Sequence, residues 1–191
     1  MAGRGGVSQP LTSARVLLIA AAATALAAGG IAAAWVFIGG VGFSFALVTH
    51  FILMAWVSSI LGPQVRIPDH GWLRVRRWES RVHPALGVRL FGKVLDVSGW
   101  NRVITRERGF DGTRAGLGEL DQHTRRSEAG HSICLVVSAA LSVGLLSTGA
   151  WHSAAWLVAL GLLFHFYPAL LQRLLRARLQ AISARISRKR S

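Results

Sequence analysis

The sequence is short of the residues that stabilise soluble and disulfide-bonded domains. It has a single cysteine, Cys134, so no intramolecular disulfide can form. Only eight of the 191 residues are acidic, and no Asp, Glu, Lys or Arg occurs between residues 16 and 61. Hydrophobic residues make up 52% of the chain, and its mean hydropathy is +0.43. This composition excludes an ordinary soluble domain of this size and indicates a membrane protein.

Two long apolar blocks, residues 16–61 and 133–171, occupy most of the chain. Each is about twice as long as one membrane-spanning helix, which needs about 20 residues. Gly39-Gly40 divides the first block, and the stretch STGAWHS (147–153) divides the second. The sequence therefore predicts an all-α membrane protein with four transmembrane helices in two hairpins. The predicted spans are residues 16–38, 41–61, 133–149 and 153–171.

The basic residues predict how these helices are oriented. Two Lys or Arg residues precede the first span, thirteen lie between residues 62 and 132, and seven follow Leu171. The short loops within the two hairpins have none. By the positive-inside rule both termini and the central segment are cytoplasmic, and Trp151 and Trp156 lie near the outer headgroups. We expect a multi-pass protein of the cell membrane.

These boundaries divide the chain into five predicted parts. They are a cytoplasmic tail (1–15), a first transmembrane hairpin (16–61), a cytoplasmic or interfacial segment (62–132), a second transmembrane hairpin (133–171) and a basic cytoplasmic tail (172–191). One alternative stays open, because Arg4 and Arg15 followed by VLLIAAAATALAAGG also resemble a secretory signal peptide. The apolar region is longer than a typical signal core, which favours a membrane span.

The central segment is basic overall, yet it also contains all eight acidic residues. Two stripes at spacings of three and four predict short amphipathic helices with arginines on their other faces. The stripes are Trp72, Val75, Glu79 and Val82, and then Val88, Phe91, Val94 and Leu95. Basic amphipathic helices suit a membrane surface, so we expect this segment to bind anionic membrane lipid.

A cluster of ionisable residues stands at the entrance to the third span, in HTRRSEAGHSICLVV (123–137). The chain can form one helix that runs from this cluster into the span, with Asp121, Arg125, Glu128 and His131 on one face. One interpretation is a charge-paired helix end. The other is chemical, because His131 lies at the membrane boundary, where an imidazole oriented by Glu128 can act as a general base.

The spacing of Glu128 and His131 also occurs in the E-x-x-H motifs of di-iron bundles. Those sites need a second such motif and further glutamates, whereas this chain has one copy and no acidic residue in any predicted span. We therefore predict no metal site and no cofactor. His50 and His165 lie inside predicted spans, where an ionisable residue is a functional candidate and a helix-to-helix hydrogen bond is the alternative.

The fourth span returns to the cytoplasmic side through HFYPALLQRLLRARL (165–179). Pro168 removes one backbone hydrogen bond and is predicted to bend this helix. Four polar side chains then follow at the leaflet where His131 lies, namely Gln172, Arg173, Arg176 and Arg178. The two helix ends can therefore meet at one site.

Three separated pieces of the chain resemble one known family. RRWES (76–80), TRRSEAGH (124–131) and YPALLQRLLRARL (167–179) are similar to motifs of the glycosyl-4,4′-diaponeurosporenoate acyltransferase family, in the same order and the same placement against the spans. The resemblance covers roughly residues 65 to 180. It implies a small integral membrane acyltransferase that transfers a fatty acyl group to a sugar hydroxyl on a glycosylated carotenoid.

Together the motifs and the charge pattern indicate a set of site residues. The catalytic candidates are His131, Glu128 and Glu79, and the substrate-binding candidates are Arg125, Arg126, Gln172, Arg173, Arg176 and Arg178. The implied partners are an acyl donor, either acyl-CoA or acyl carrier protein, and a lipid acceptor. His123 stands where the family tends to have Glu.

The main alternative is a non-enzymatic membrane scaffold or assembly subunit. Its Gly- and Ala-rich helices would serve packing, and its basic helices would bind anionic lipid. What separates the two functions is whether Glu79, Glu128 and His131 converge in space beside a hydrophobic cleft that is open to the cytoplasmic leaflet. Nucleic acid is not expected as a partner, because no base-reading element accompanies the charge and the arginines follow the membrane topology.

Overall fold

The fold is all-helical wherever the structure describes it. The computed structural model describes residues 13–40, 42–62, 65–69, 71–76, 78–79, 82, 86–99, 113–114 and 116–188, and these residues include no strand. The helices are α1 (Ser13–Ala34), α2 (Phe43–Ile60), α3 (Val88–Val97), α4 (Leu117–Ser147), α5 (Trp151–Gly161) and α6 (Tyr167–Arg188). A π-helical turn (Trp35–Gly39) extends α1, another (Leu162–Phe166) joins α5 to α6, and Gly71–Leu73 is a 3₁₀ turn.

Four of the described helical stretches are long and apolar enough to cross a membrane. They are Ala14–Gly39, Phe43–Ile60, Leu117–Ser147 and Trp151–Arg188. The prediction of an all-α protein with four membrane-spanning helices is confirmed, and α4 runs from the ionisable cluster into the third span as a single helix. The last stretch has 38 residues, which is about 57 Å at 1.5 Å per residue and exceeds the ~30 Å hydrocarbon core. Its C-terminal turns therefore extend beyond the lipid tails.

The helices pack around α2, α4 and α5. α4 contacts both α5 and α6, α2 contacts α5 and α4, and α1 packs on α2. Gly130 of α4 allows the close approach to α2, since a Cβ atom there would lie 3.2 Å from Val57 Cγ1. The core holds Phe45, Ala46, Leu157 and Leu160 in one cluster and Leu53, Val57 and Cys134 in another. Most of the large apolar side chains of α1 remain exposed, as expected of a helix that faces lipid.

Small residues shape the two turns between the spans. Gly42 has a φ of 98° and Gly149 a φ of 79°, values that residues with a Cβ atom rarely adopt. The hydroxyl of Ser153, at the start of α5, donates to the Gly40 carbonyl at 2.6 Å and accepts from the Gly42 N–H at 2.9 Å. This buried hydroxyl ties the α1–α2 turn to α5.

The irregularity expected near Pro168 takes the form of the π-helical turn Leu162–Phe166. Pro168 has no N–H to give to the carbonyl four residues earlier, so regular α-helical bonding cannot continue through this point. A π-helical turn is one way in which a helix absorbs such a break. It carries His165, which is fully buried.

The prediction of a helix that begins at Trp72 is wrong for residues 71–76. Gly71–Leu73 forms one 3₁₀ turn, and Val75 and Arg76 are irregular. The physical reason is that the carbonyls of Trp72 and Leu73 accept hydrogen bonds from arginine side chains of α6 at 3.1 and 2.7 Å. A helix would require those carbonyls for its own N–H groups.

The second predicted amphipathic helix is present as α3, which packs on α6. Phe91 stacks on Tyr167 with ring centroids 5.2 Å apart, and Val88 is buried. Leu90, Val94 and Val97 instead point away from the bundle and are exposed. Some apolar residues of α3 therefore pack against α6, and the others form an exposed apolar surface.

Candidate active site

Glu128 lies at the centre of a buried ion-pair cluster between α4 and α6. One carboxylate oxygen accepts from Arg173 Nη1 and the other from Arg176 Nη1, each at 2.5 Å. The side chains of Glu128 and Arg176 are only 3% and 1% exposed. Arg176 Nε also donates to the hydroxyl of Thr124, one turn before Glu128, at 3.2 Å. The helix ends predicted to meet do so here.

Glu79 joins the same cluster from the segment between the spans. Its Oε2 accepts from Arg173 Nε and Nη2, both at 2.7 Å, so Arg173 bridges Glu79 and Glu128. Its Oε1 accepts the backbone N–H of Arg76 at 3.0 Å, in the manner of a helix N-terminal capping box. Glu79 thus starts its own helical turn and attaches it to α6.

We call Arg173, Arg176, Glu79 and Glu128 the arginine clasp. It contains two carboxylates and two guanidinium groups, so its formal charges cancel. Buried charges are tolerated when they are paired and hydrogen-bonded, and unpaired ones are strongly unfavourable. Since both arginines also bind the carbonyls of Trp72 and Leu73, the clasp fastens the 71–79 segment to the end of the bundle.

Two polar atoms of α6 have no partner although they are buried. They are Arg176 Nη2, a donor, and Gln172 Oε1, an acceptor one turn earlier. Such atoms are unfavourable unless something binds them. They are the groups of the described site that remain available for a substrate oxygen or hydroxyl.

Three histidines form a row beside the clasp. His50 Nδ1 lies 2.9 Å from His165 Nε2, and His165 Nδ1 lies 3.4 Å from His131 Nδ1. The far end of the row is fixed by the Leu157 carbonyl, 3.0 Å from His50 Nε2. His50 and His165 are fully buried, and His131 is half-buried. The helix-to-helix hydrogen bond that was one of the two alternatives for His50 and His165 is present.

A cavity of about 280 Å³ opens against the outer side of the clasp. It is lined by Gly71, Trp72, Arg74, Arg76, Trp78, Glu79 and Arg173. Its two indole rings offer faces for planar or sugar groups, and the guanidinium groups of Arg74 and Arg76 offer donors for phosphate. Each indole belongs to a tryptophan that is 57% exposed, so the cavity opens to the surface.

The predicted substrate-binding residues lie in three different places. Gln172, Arg173 and Arg176 lie in or next to the clasp. Arg125 instead pairs with Asp121 at 2.7 Å and with Asp69 at 3.2 Å, which confirms the predicted Asp121–Arg125 neighbour pair. Arg126 donates to the Val65 carbonyl at 3.3 Å, and Arg178 is exposed on α6. Arg125 and Arg126 therefore attach residues 65–69 to α4.

The prediction that Glu128 orients His131 is wrong. Both oxygens of Glu128 are occupied by arginines, which form stronger, charge-assisted hydrogen bonds than a neutral imidazole does. His131 turns instead to His165. Spacing along α4 placed the two residues one turn apart, but their partners come from the other end of the sequence.

Sequence reasoning missed three further contributors to this site, namely Thr124 and the backbone carbonyls of residues 72 and 73. Thr124 could have been found, because it lies one turn before Glu128 on the same face of the helix. The backbone carbonyls could not, because any residue has one. Among the described residues no group of three His, Cys, Asp or Glu side chains is arranged to hold a metal ion.

Comparisons with known proteins identify the family. Searches of the curated proteins and of the solved structures returned no match. The family model for glycosyl-4,4′-diaponeurosporenoate acyltransferase matches residues 69–185, a stretch that includes the clasp and two of the three histidines. With most of its length matched and four apolar helices that fit a membrane protein, the chain belongs to the glycosyl-4,4′-diaponeurosporenoate acyltransferase family, whose description implies an acyltransferase of carotenoid biosynthesis acting with an acyl donor and a lipid acceptor.

Proposed function

We propose that this protein transfers a fatty acyl group from an acyl thioester to a hydroxyl of a lipid-linked, glycosylated carotenoid-like acceptor. The observation that carries the proposal is the convergence of Glu79, Glu128, Arg173 and Arg176 in one buried cluster, one helical turn from His131. All five lie within the stretch that matches the acyltransferase family.

His131 is the proposed general base. Its imidazole takes the proton from the acceptor hydroxyl while the hydroxyl oxygen attacks the thioester carbonyl carbon. The carbon–sulfur bond then breaks, and the leaving thiolate takes the proton back from the imidazolium. The products are an ester and a free thiol, so atoms and protons balance without any cofactor.

The clasp is the proposed scaffold and electrostatic partner of this reaction. Arg173 and Glu79 position the 71–79 segment, and Arg176 Nη2, which is buried without a partner, is the proposed donor to the oxygen on which negative charge develops. A fixed donor in a water-poor site stabilises such charge more than water does. Gln172 Oε1, one turn away, is the proposed acceptor for a substrate hydroxyl.

The cavity beside the clasp is the proposed site for the head group of the acyl donor. Acyl-CoA and acyl carrier protein both present phosphate, and arginine binds phosphate through forked, charge-assisted hydrogen bonds. Arg74 and Arg76 line this cavity at its exposed side. The acyl chain and the acceptor then lie among the helices.

The proposed setting is the cell membrane with both termini and residues 62–132 in the cytoplasm. The support is the distribution of basic residues, with none in the short loops between spans. The proposed parts are the two transmembrane hairpins (16–61 and 133–171), the interfacial segment between them and the two tails. The exposed basic and apolar residues of α3 suit contact with anionic lipid.

The test is product formation by the His131→Ala variant in purified protein reconstituted with labelled acyl-CoA, labelled acyl carrier protein and glycosylated carotenoid lipid. A general base typically contributes 10²- to 10⁴-fold in rate, so the acylated lipid is expected to fall by at least about 10²-fold. His152→Ala, in an exposed position at the start of α5, is the matched control and should retain activity. Mass spectrometry of the lipid extract measures both.

The protein level and the elution profile in detergent are measured in parallel. If His131→Ala makes near-normal product, His131 is not the base. If wild-type protein transfers no acyl group from either donor, the scaffold function replaces the enzymatic one.

A further inference from the structure

The row of histidines connects three separate helical elements. His50 comes from α2, His165 from the π-helical turn and His131 from α4. Two of the rings are fully buried, and the row is reachable only at His131. A neutral imidazole has one N–H donor and one lone-pair acceptor, so each ring constrains the protonation of the next.

The direction of the hydrogen bonds in this row is set at its buried end. The Leu157 carbonyl can only accept, so His50 Nε2, 3.0 Å away, must carry the proton. His50 Nδ1 is then an acceptor, and His165 donates to it from Nε2. His165 Nδ1 is left as an acceptor in turn, and His131 donates to it from Nδ1.

We propose that His50 and His165 are positioning residues that hold His131 in the Nδ1–H tautomer, with the lone pair on Nε2. The inference rests on the proposed function in one respect, the use of that lone pair to take the acceptor proton. The assignment of the tautomer uses the hydrogen bonds of the row and not the reaction. The role that sequence spacing assigned to Glu128 is thereby taken over by two buried histidines.

The tautomer matters because only an unprotonated Nε2 can act as a base toward a substrate at the open end of the row. When Nε2 takes a proton, His131 Nδ1–H remains bonded to His165, so the ring does not have to turn. A histidine with no partner on Nδ1 populates the Nε2–H tautomer instead, which presents a donor where the reaction needs an acceptor. In a serine protease, loss of the group that holds the histidine tautomer lowers kcat about 10⁴-fold.

The direct test is solid-state NMR of the full chain in lipid bilayers with ¹⁵N-labelled histidine. Nitrogens with and without a proton differ widely in ¹⁵N shift, and the His131 signals are assigned by their loss in His131→Gln. In the wild type we expect His131 with a protonated Nδ1 and a bare Nε2. In His165→Phe, which keeps an aromatic ring, we expect His131 to shift to Nε2–H, whereas His152→Phe leaves it unchanged. A wild-type His131 protonated at Nε2 overturns the inference.

A kinetic comparison tests the positioning role with a matched pair at His50. Asparagine places an oxygen near the position of Nδ1 and can still accept from His165, whereas leucine of similar size cannot. We expect His50→Leu and His165→Phe to lower kcat by about 10²-fold or more with an unchanged KM for the acceptor, and His50→Asn to retain most of the activity. Equal activity of His50→Leu and wild type overturns the positioning role.

The two proposals fail separately. If the NMR spectra show the expected tautomer but His131→Ala remains active, the acyltransfer role of His131 is wrong and the histidine row stands. If His131→Ala is inactive but wild-type His131 is protonated at Nε2, the proposed tautomer is wrong. His131 would then have to act as the base through Nδ1.

Discussion

Glu128 is the residue on which the clasp depends. Each of its oxygens binds a different arginine, and its side chain is almost fully buried. Removing its charge would leave two guanidinium groups with one carboxylate between them, far from the water that could compensate. An exposed ion pair differs, because water and salt already screen it.

We predict that Glu128→Gln lowers stability far more than Glu119→Gln, on the same helix. Breaking a buried pair costs about 3–5 kcal/mol, whereas an exposed pair contributes about 0–1 kcal/mol. Glu119 pairs with Arg66 at 2.7 Å, but both side chains are more than 60% exposed. Thermal unfolding in detergent should show a large fall in Tm for Glu128→Gln and little change for Glu119→Gln. Equal Tm values would mean that the clasp does not contribute to folding.

At the scale of helices, most of the architecture could be predicted from local patterns. Spans depend on runs of apolar residues, and α4 could be recognised because ionisable residues at helical spacing run without a break into such a run. A bend near Pro168 could be predicted in the same way, but the π-helical form of the irregularity could not. These features depend on residues that are close together in the chain, so they can be recognised in a single sequence.

The pairing within the site could not be predicted in the same way. On α4, Glu128 has Arg125 and His131 as neighbours at helical spacing, yet its partners Arg173 and Arg176 lie 45 and 48 residues further along the chain. The irregular backbone at residues 71–76 depends on those same arginines. Contacts at such separations are decided by tertiary packing, which the spacing of residues along one helix does not reveal.

α3 gives a prediction at this same scale. Because Leu90 and Val97 are exposed apolar residues while Arg89 and Asp96 are polar, we expect α3 to lie at the bilayer surface. Spin labels at Leu90 and Val97 should report lipid, and labels at Arg89 and Asp96 should report water. Power-saturation measurements with oxygen and a soluble nickel reagent separate the two. Water at all four positions would place α3 outside the membrane.

The whole molecule is expected to have its charged end in the cytoplasm. Reporter fusions at Gly40 and Gly149 should read external, and fusions at Gly109 and Ser191 internal, because basic residues accumulate at one side only. Alkaline phosphatase and green fluorescent protein fusions give opposite signals and check each other. An external reading at Gly109 would place the clasp away from cytoplasmic acyl donors and contradict the proposed function.

The clasp also has a consequence for biogenesis. Glu79 and Glu128 are synthesised before Arg173 and Arg176, so neither carboxylate can form its ion pairs with these arginines until the last helix is present. The 71–79 segment can dock only then, since the arginines that bind its carbonyls belong to α6. Docking of this segment therefore has to follow the synthesis of α6, and a chain that has lost α6 has also lost both arginines that neutralise Glu79 and Glu128.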